Sequence, residues 1–344
     1  MKFILKATRS LSSNHPRRGP CSSPGVARYL GLPNQASRPA PRLTPTSPLI
    51  PPRHHPRPQL SSYNNVRMSS TSSDPEPDAV LHKTLPSGIT TITLNRAARR
   101  NAVDPSTAQK LYNAFLAYEA DDTQKVCVFH GNNGIFCAGY DLHTAAQSSL
   151  SDASSAHFGS VDVGGRNIGP MGPSRLQIKK PVICAVSGYA VAGGLELSLL
   201  GDMRVVEEDA VFGVFCRRWG IPLIDGGTVR LPAIVGLGRA MDMILTGRPV
   251  GAPEALQMGL ANRVVPKGKG LEEALKIAED LVKFPQLCVR ADRDSCYNAV
   301  YNAKSFEEAL KFEFDNAHEV LAKETVEGAK KFSGGAGRGG SFKL

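Results

Sequence analysis

Two short apolar runs, Lys125 to His130 (KVCVFH) and Pro181 to Val186 (PVICAV), each end in a glycine-rich turn, and this pairing limits the possible folds more than any other feature of the chain. The first turn is Gly134-Ile135-Phe136-Cys137-Ala138-Gly139-Tyr140-Asp141-Leu142. The second, Ser187-Gly188-Tyr189-Ala190-Val191-Ala192-Gly193-Gly194-Leu195-Glu196-Leu197, continues into a helical pattern through Leu199. Short apolar runs bounded by Gly, Pro or Asn read as buried strands, and the β-branched Gly88 to Leu94 (GITTITL) makes a third. Between it and KVCVFH, Asp104 and Ser106 precede Leu111, Phe115 and Leu116, which predicts a helix with an acidic cap. Strand, helix, strand in that order predicts an α/β core with parallel neighbours. From about Arg239 the strand signals fade. Helical patterns follow at Ala240 to Leu245, Pro253 to Met258, Leu271 to Phe284 and Ser305 to Ala322. The expected organisation is an α/β core over 74–238, a helical region over 239–332 and a flexible tail over 333–344.

Residues 1–73 are of another kind. The whole chain carries a formal charge of +10, yet its first 73 residues hold eleven Lys/Arg, no Asp or Glu, and twelve of the 25 prolines. The remainder, 30 basic against 31 acidic residues, is close to neutral, so the folded surface lacks the excess charge that nucleic-acid binding needs. On a helix, Lys2, Lys6 and Arg9 fall opposite Phe3, Ile4, Ala7 and Leu11, as in a mitochondrial transit peptide. The Pro/Ser/Arg-rich stretch 12–67 is expected to be disordered, because it buries too little apolar surface to offset its ordering entropy. The expected address is the mitochondrial matrix. Alternatives are a cytosolic form starting at Met68 and, through the terminal Phe342-Lys343-Leu344, a peroxisomal one. No apolar run approaches the roughly 20 residues of a membrane helix, so no membrane association is expected.

Metal and disulfide chemistry find no support in the spacing. The seven cysteines (21, 127, 137, 184, 216, 288 and 296) form no CxxC pair and read as free thiols, and no HExxH or similar ligand set occurs. Gly335 to Gly340 formally satisfies GxGxxG. A dinucleotide loop must follow a strand and open a helix, and only four residues remain after Gly340.

The glycine turns carry the chemistry. Glycines at strand ends let backbone approach a ligand, and the second turn offers unpaired N–H groups at the start of a helix. Either turn alone reads equally as an ordinary strand-to-helix connection. Together, with Asn95-Arg96-Ala97-Ala98-Arg99-Arg100-Asn101-Ala102 upstream and Phe212 to Leu231 downstream, they resemble the crotonase (enoyl-CoA hydratase/isomerase) family over about 80–335. The resemblance implies an α/β spiral of ββα turns with a helical C-terminal trimerisation region, assembled as a homotrimer or hexamer. It implies an acyl-CoA thioester substrate and no metal or redox cofactor, coenzyme A being part of the substrate. By position, Tyr140 and Gly193 supply the two backbone N–H groups of an oxyanion hole. Arg99, Arg100, Ala102, Ala138 and His143 match the CoA-binding positions, and for the basic ones a solvated surface charge is the plainer alternative.

Adding water to a 2-enoyl-CoA, or moving its double bond, passes through an enolate whose charge sits on the thioester oxygen. Preorganised N–H donors stabilise that charge by ~10²- to 10³-fold each, and a carboxylate must move the proton. Glu196, three residues past Gly193, is the expected acid/base. The family's hydratases usually carry a second glutamate 20 residues later, where this chain has Cys216, a weak acid/base or simply a small buried residue. Asp225 is either the replacement carboxylate or a cap for the helix that follows it. Trp219, beside Arg217 and Arg218, is a candidate for selecting the acyl group. Three readings remain open at this level: an enoyl-CoA hydratase, a single-glutamate isomerase, and a non-catalytic CoA- or RNA-binding protein on the same fold.

Overall fold

The computed structural model describes residues 76–147 and 166–337. The expected leader at 1–73 and the last part of the tail lie outside the described residues.

The chain begins with a hairpin, β1 (Val80–Thr84) and β2 (Ile89–Leu94), followed by α1 (Pro105–Ala120) and β3 (Val126–Gly131). Asp104 caps α1, its carboxylate accepting the Thr107 N–H at 2.8 Å, as the sequence predicts. The first glycine turn leads to α2 (Leu142–Gln147). Next come β4 (Val182–Val186), β5 (Tyr189–Val191), α3 (Gly193–Ser198), β6 (Met203–Glu207) and β7 (Val211–Gly213). The remainder is mostly helical: α4 (Gly227–Val235), α5 (Leu237–Thr246), α6 (Ala252–Gln257), α7 (Gly270–Leu281), α8 (Gln286–Tyr301), α9 (Phe306–Val320) and α10 (Val326–Ser333).

The main sheet has the order β1-β2-β3-β4-β6 and ends on β9 (Arg263–Val265); only the β1/β2 pair is antiparallel. A smaller sheet joins β5, β7 and β8 (Val250–Gly251). Both faces of β3 and β4 are covered, which is why these strands read as continuous apolar runs. Along β3, Cys127 and Phe129 enter the larger core with α1, whereas Val126 and Val128 meet Ala274, Ile277 and Ala278 of α7. That is the period of two expected of a strand.

The sheet does not stop at residue 238. β8 and β9 fall inside the stretch expected to be a helical region, and α7 packs on β3, β4 and β6, so the core runs through about residue 281. These strands have two and three residues, too short for alternation to mark them. α10 ends at Ser333, where the tail was expected to begin, and is closed by Gly334 N–H to Lys330 O and Ala336 N–H to Lys331 O. Gly335 and Gly337 thus follow a helix, which disposes of the nucleotide-loop pattern. Among the described residues no helix is long and apolar enough to cross a membrane, and no three His, Cys, Asp or Glu side chains cluster as metal ligands.

Candidate active site

The two glycine turns lie side by side, stitched by Phe136 N–H to Ser187 O (2.7 Å), Cys137 N–H to Tyr189 O (2.9 Å) and Val191 N–H to Cys137 O (3.1 Å). Glycine is required where they touch. A Cβ on Gly194 would lie 2.1 Å from the Cys137 carbonyl oxygen, and one on Gly139, at φ +99°, would lie 3.2 Å from the Gly193 nitrogen. Phe136 anchors the first turn, its ring meeting Phe129 edge-on at 5.1 Å, and Phe129 in turn meets Phe115 of α1 at 5.4 Å. Losing such a buried ring costs ~3 to 5 kcal/mol, so the turn is held by the core.

Backbone bonding around Tyr140 leaves its amide turned away from Val103: Val103 donates to Gly139 O and accepts from Asp141 N–H, both at 2.8 Å, in a short parallel bridge. Gly193 opens α3, where the first-turn amides lack intrahelical acceptors. Ala192 just before it sits at φ 54°, ψ −127°, a conformation costing a non-glycine residue ~1 to 3 kcal/mol, and its N–H is held by Gly213 O at 2.8 Å. The strain is stored at the residue that leads into Gly193 and the start of α3.

Glu196 follows on α3 and is 2% exposed. Its Oε1 accepts the N–H groups of Asp225 (3.0 Å) and Gly227 (2.8 Å). Burial, and then the neighbouring Asp225 carboxylate, push its carboxyl from 4.5 up to about 8, against the pull of the two amides and Arg230. Asp225 is itself buried. Its Oδ1 accepts the Met171 N–H at 3.0 Å and the Ser174 hydroxyl, and burial raises its carboxyl despite those bonds and the charges of Arg175 and Arg230. Asp225 is therefore no helix cap: Gly226 occupies the N-cap position of α4, without a side-chain bond. The Cys216 thiol, raised first by burial and then by Glu196, stays protonated at neutral pH.

These groups share one cavity of about 180 Å³. Ala138, Tyr140, Gly193, Glu196, Cys216, Trp219 and Asp225 all line it, with Met171, Phe215 and Ile224 among the apolar walls. Trp219 is 70% exposed, placing its ring at the mouth. Arg99, Arg100, Ala102 and His143 do not line the cavity. Arg100 contributes through its backbone, its carbonyl accepting the Ala138 N–H at 3.1 Å, and the exposed His143 is tied by its own N–H to Asp141 Oδ1 at 3.1 Å. Ala102 O accepts from Arg96 Nη1.

Sequence reasoning missed Met171 and Ser174, which hold Asp225, and the ion cluster of Arg96 with Glu76, Asp104 and Asp141 beneath the first turn. The signal for the former was the Gly169-Pro170-Met171-Gly172-Pro173-Ser174 run, whose glycines and prolines mark a fixed loop. Nothing in the spacing of the latter pointed to a cluster.

Residues 84–334 match the family model for enoyl-CoA hydratase/isomerase. The chain belongs to that family. Among its relatives, the enoyl-CoA hydratase EchA19 of Mycobacterium tuberculosis is 35% identical over 207 residues, which is 58% of this chain and 73% of the relative. The carnitinyl-CoA dehydratase of Escherichia coli K12 is 35% identical over 216 residues, covering 61% and 77%. Among solved structures, the enoyl-CoA hydratase of Bacillus anthracis superimposes with a TM-score of 0.67 at 29% identity, over 74% of this chain and 96% of that one. The crotonase-type α/β fold with its helical C-terminal region, expected from the two turns, is the fold observed.

Proposed function

We propose that this acyl-CoA-processing enzyme adds water reversibly across the C2–C3 double bond of a 2-enoyl-CoA. The observation that carries the proposal is the placement of two buried carboxyls, Glu196 and Asp225, in the cavity beside the Gly193 turn. Burying two acids together is costly, and a protein that only bound CoA would gain nothing from it.

The Tyr140 and Gly193 amides receive the thioester oxygen and stabilise the enolate, in which negative charge has moved onto that oxygen. Glu196 and Asp225 divide the remaining work. Glu196, at about 8, holds a proton at neutral pH and delivers it to C2. Asp225, the second carboxyl of the cavity, is assigned the proton released by water as the oxygen bonds to C3. One water is consumed, and the proton returns from Asp225 to Glu196 through solvent. Coenzyme A enters as part of the substrate, with the Arg99, Arg100, Ala102 and His143 region as its adenine-side contact. The relatives' names, a hydratase and a dehydratase, support a water-adding or water-removing reaction.

The test is to incubate the purified enzyme with 2-enoyl- and 3-enoyl-CoA thioesters and follow product mass. Hydration adds one water to the 2-enoyl substrate. Conversion of a 3-enoyl thioester at constant mass, without hydration, would replace this reading by the single-glutamate isomerase.

Two further parts of the proposal concern setting. Phe306, Leu310 and Phe314 of α9 and Phe332 of α10 are exposed apolar residues on the C-terminal helices, which supports a homotrimer or hexamer; light scattering measures it. The acid-free leader supports the mitochondrial matrix, and a reporter fused to residues 1–73 that stayed in the cytosol or entered peroxisomes would remove that assignment.

A further inference from the structure

Arg230 sits in the wrong place to stabilise its own helix. It is the fourth residue of α4, where a cation opposes the helix dipole, and its side chain folds back over the N-terminus. A Cβ on Gly226, at φ +92°, would lie 2.2 Å from Arg230 Nη1. Arg230 forms no ion pair with Asp or Glu among the described residues. Its guanidinium instead reaches three carbonyls: Ser174 O at 2.8 Å and Asp225 O at 3.3 Å through Nη1, and Leu176 O at 3.2 Å through Nη2. Ser174 is the residue whose hydroxyl bonds Asp225 Oδ1, and the amides of Asp225 and Gly227 hold Glu196 Oε1. One planar fork thus joins the segment that orients Asp225 to the turn that orients Glu196.

We propose that Arg230 is a positioning residue for the carboxyl pair, its guanidinium tying the Ser174–Leu176 segment to the Asp225–Gly227 turn so that both carboxyls keep their places in the cavity. A lysine at 230 supplies the charge without the fork, and a glutamine supplies donors without the charge. The charge acts as well as the geometry. Around the pair stand Arg175 from the neighbouring turn, Cys216 beside Glu196, and Tyr140 beside Asp225, with Tyr297 and Tyr301 of α8 against Arg230 itself. Of these Arg175 and Arg230 are the cations, and Arg230 favours the ionised form of both Glu196 and Asp225.

The kinetic half of the test rests on the hydration reading; the spectroscopic half does not. In Arg230→Gln, both limbs of the pH profile of kcat/KM are expected to move up by about one pH unit. In Arg230→Lys the limbs stay in place while kcat falls by about tenfold with KM nearly unchanged, because the two walls lose their common clamp. Independently, the infrared carboxyl band of Glu196, recognised by its loss in Glu196→Gln, is titrated in the unliganded wild type and in Arg230→Gln; its midpoint should rise in the variant. An unmoved midpoint in folded Arg230→Gln, or full kcat in Arg230→Lys, overturns the proposal. A wild type that hydrates no enoyl-CoA removes the hydratase reading instead, and the infrared midpoint then decides the role of Arg230.

Discussion

Replacing Glu196 by Gln removes a titratable group and little else. The Gln Oε1 can accept the same amides of Asp225 and Gly227 that hold the carboxylate at 3.0 and 2.8 Å, so the packing is kept. In the unfolded chain the Glu196 carboxyl titrates near its ordinary 4.5, whereas burial and Asp225 hold it at about 8 in the folded protein. Between those values the folded protein retains a proton that the unfolded chain has released. Each pH unit in that window therefore costs the wild type ~1.4 kcal/mol of stability. The group's favourable contribution is complete below pH 4.5 and lost as pH rises through about 8. Over roughly 3.5 pH units the loss reaches about 5 kcal/mol, none of which applies to Gln. The stability of Glu196→Gln relative to wild type should then climb by about 1.4 kcal/mol per pH unit from pH ~5 to ~8 and level off above. Urea unfolding followed by circular dichroism, at one protein concentration because assembly contributes, measures the slope. The same variant should lose ~10²- to 10⁴-fold in turnover while binding acyl-CoA within a few fold. A stability difference that stays flat across this range would mean that Glu196 ionises near its ordinary value, and its role as the neutral acid at pH 7 would fail with it.

Asp225→Asn should reduce hydration by ~10²-fold or more, since a base is lost and no helix cap is at stake; rates within a factor of three of wild type would exclude Asp225 as the water-activating group. Cys216→Ser should keep kcat within a few fold, because a thiol held protonated by burial and Glu196 does no acid/base work at neutral pH; a large loss would restore Cys216 as a candidate. Gly194→Ala should destabilise by ~3 kcal/mol or more, its Cβ meeting the Cys137 carbonyl at 2.1 Å, whereas Gly193→Ala meets the movable Met171 side chain and should cost less. Thermal unfolding of the two variants compares them directly, and equal melting temperatures would contradict the close packing of the turns.

The sequence by itself determined the elements whose physics is local. β2, β3 and β4 announced themselves as apolar runs, α1 by its Asp104 cap, and the two glycine turns by residues that few other backbones need. Glu196 was legible because it lies one helical turn from Gly193. What only the tertiary structure decided was everything made from distant parts. β8 and β9 are too short to carry a pattern and exist because β7 and β6 offer them unpaired edges. Whether Asp225 capped a helix or joined the site depended on the loop holding Met171 and Ser174, more than fifty residues earlier in the chain. The basic residues assigned to CoA by position lie outside the cavity that holds the two carboxyls, a placement that the order of residues in a motif does not fix. The ionisation of Glu196 was likewise absent from the sequence, because it comes from burial and a neighbouring charge, and both are properties of the packed fold.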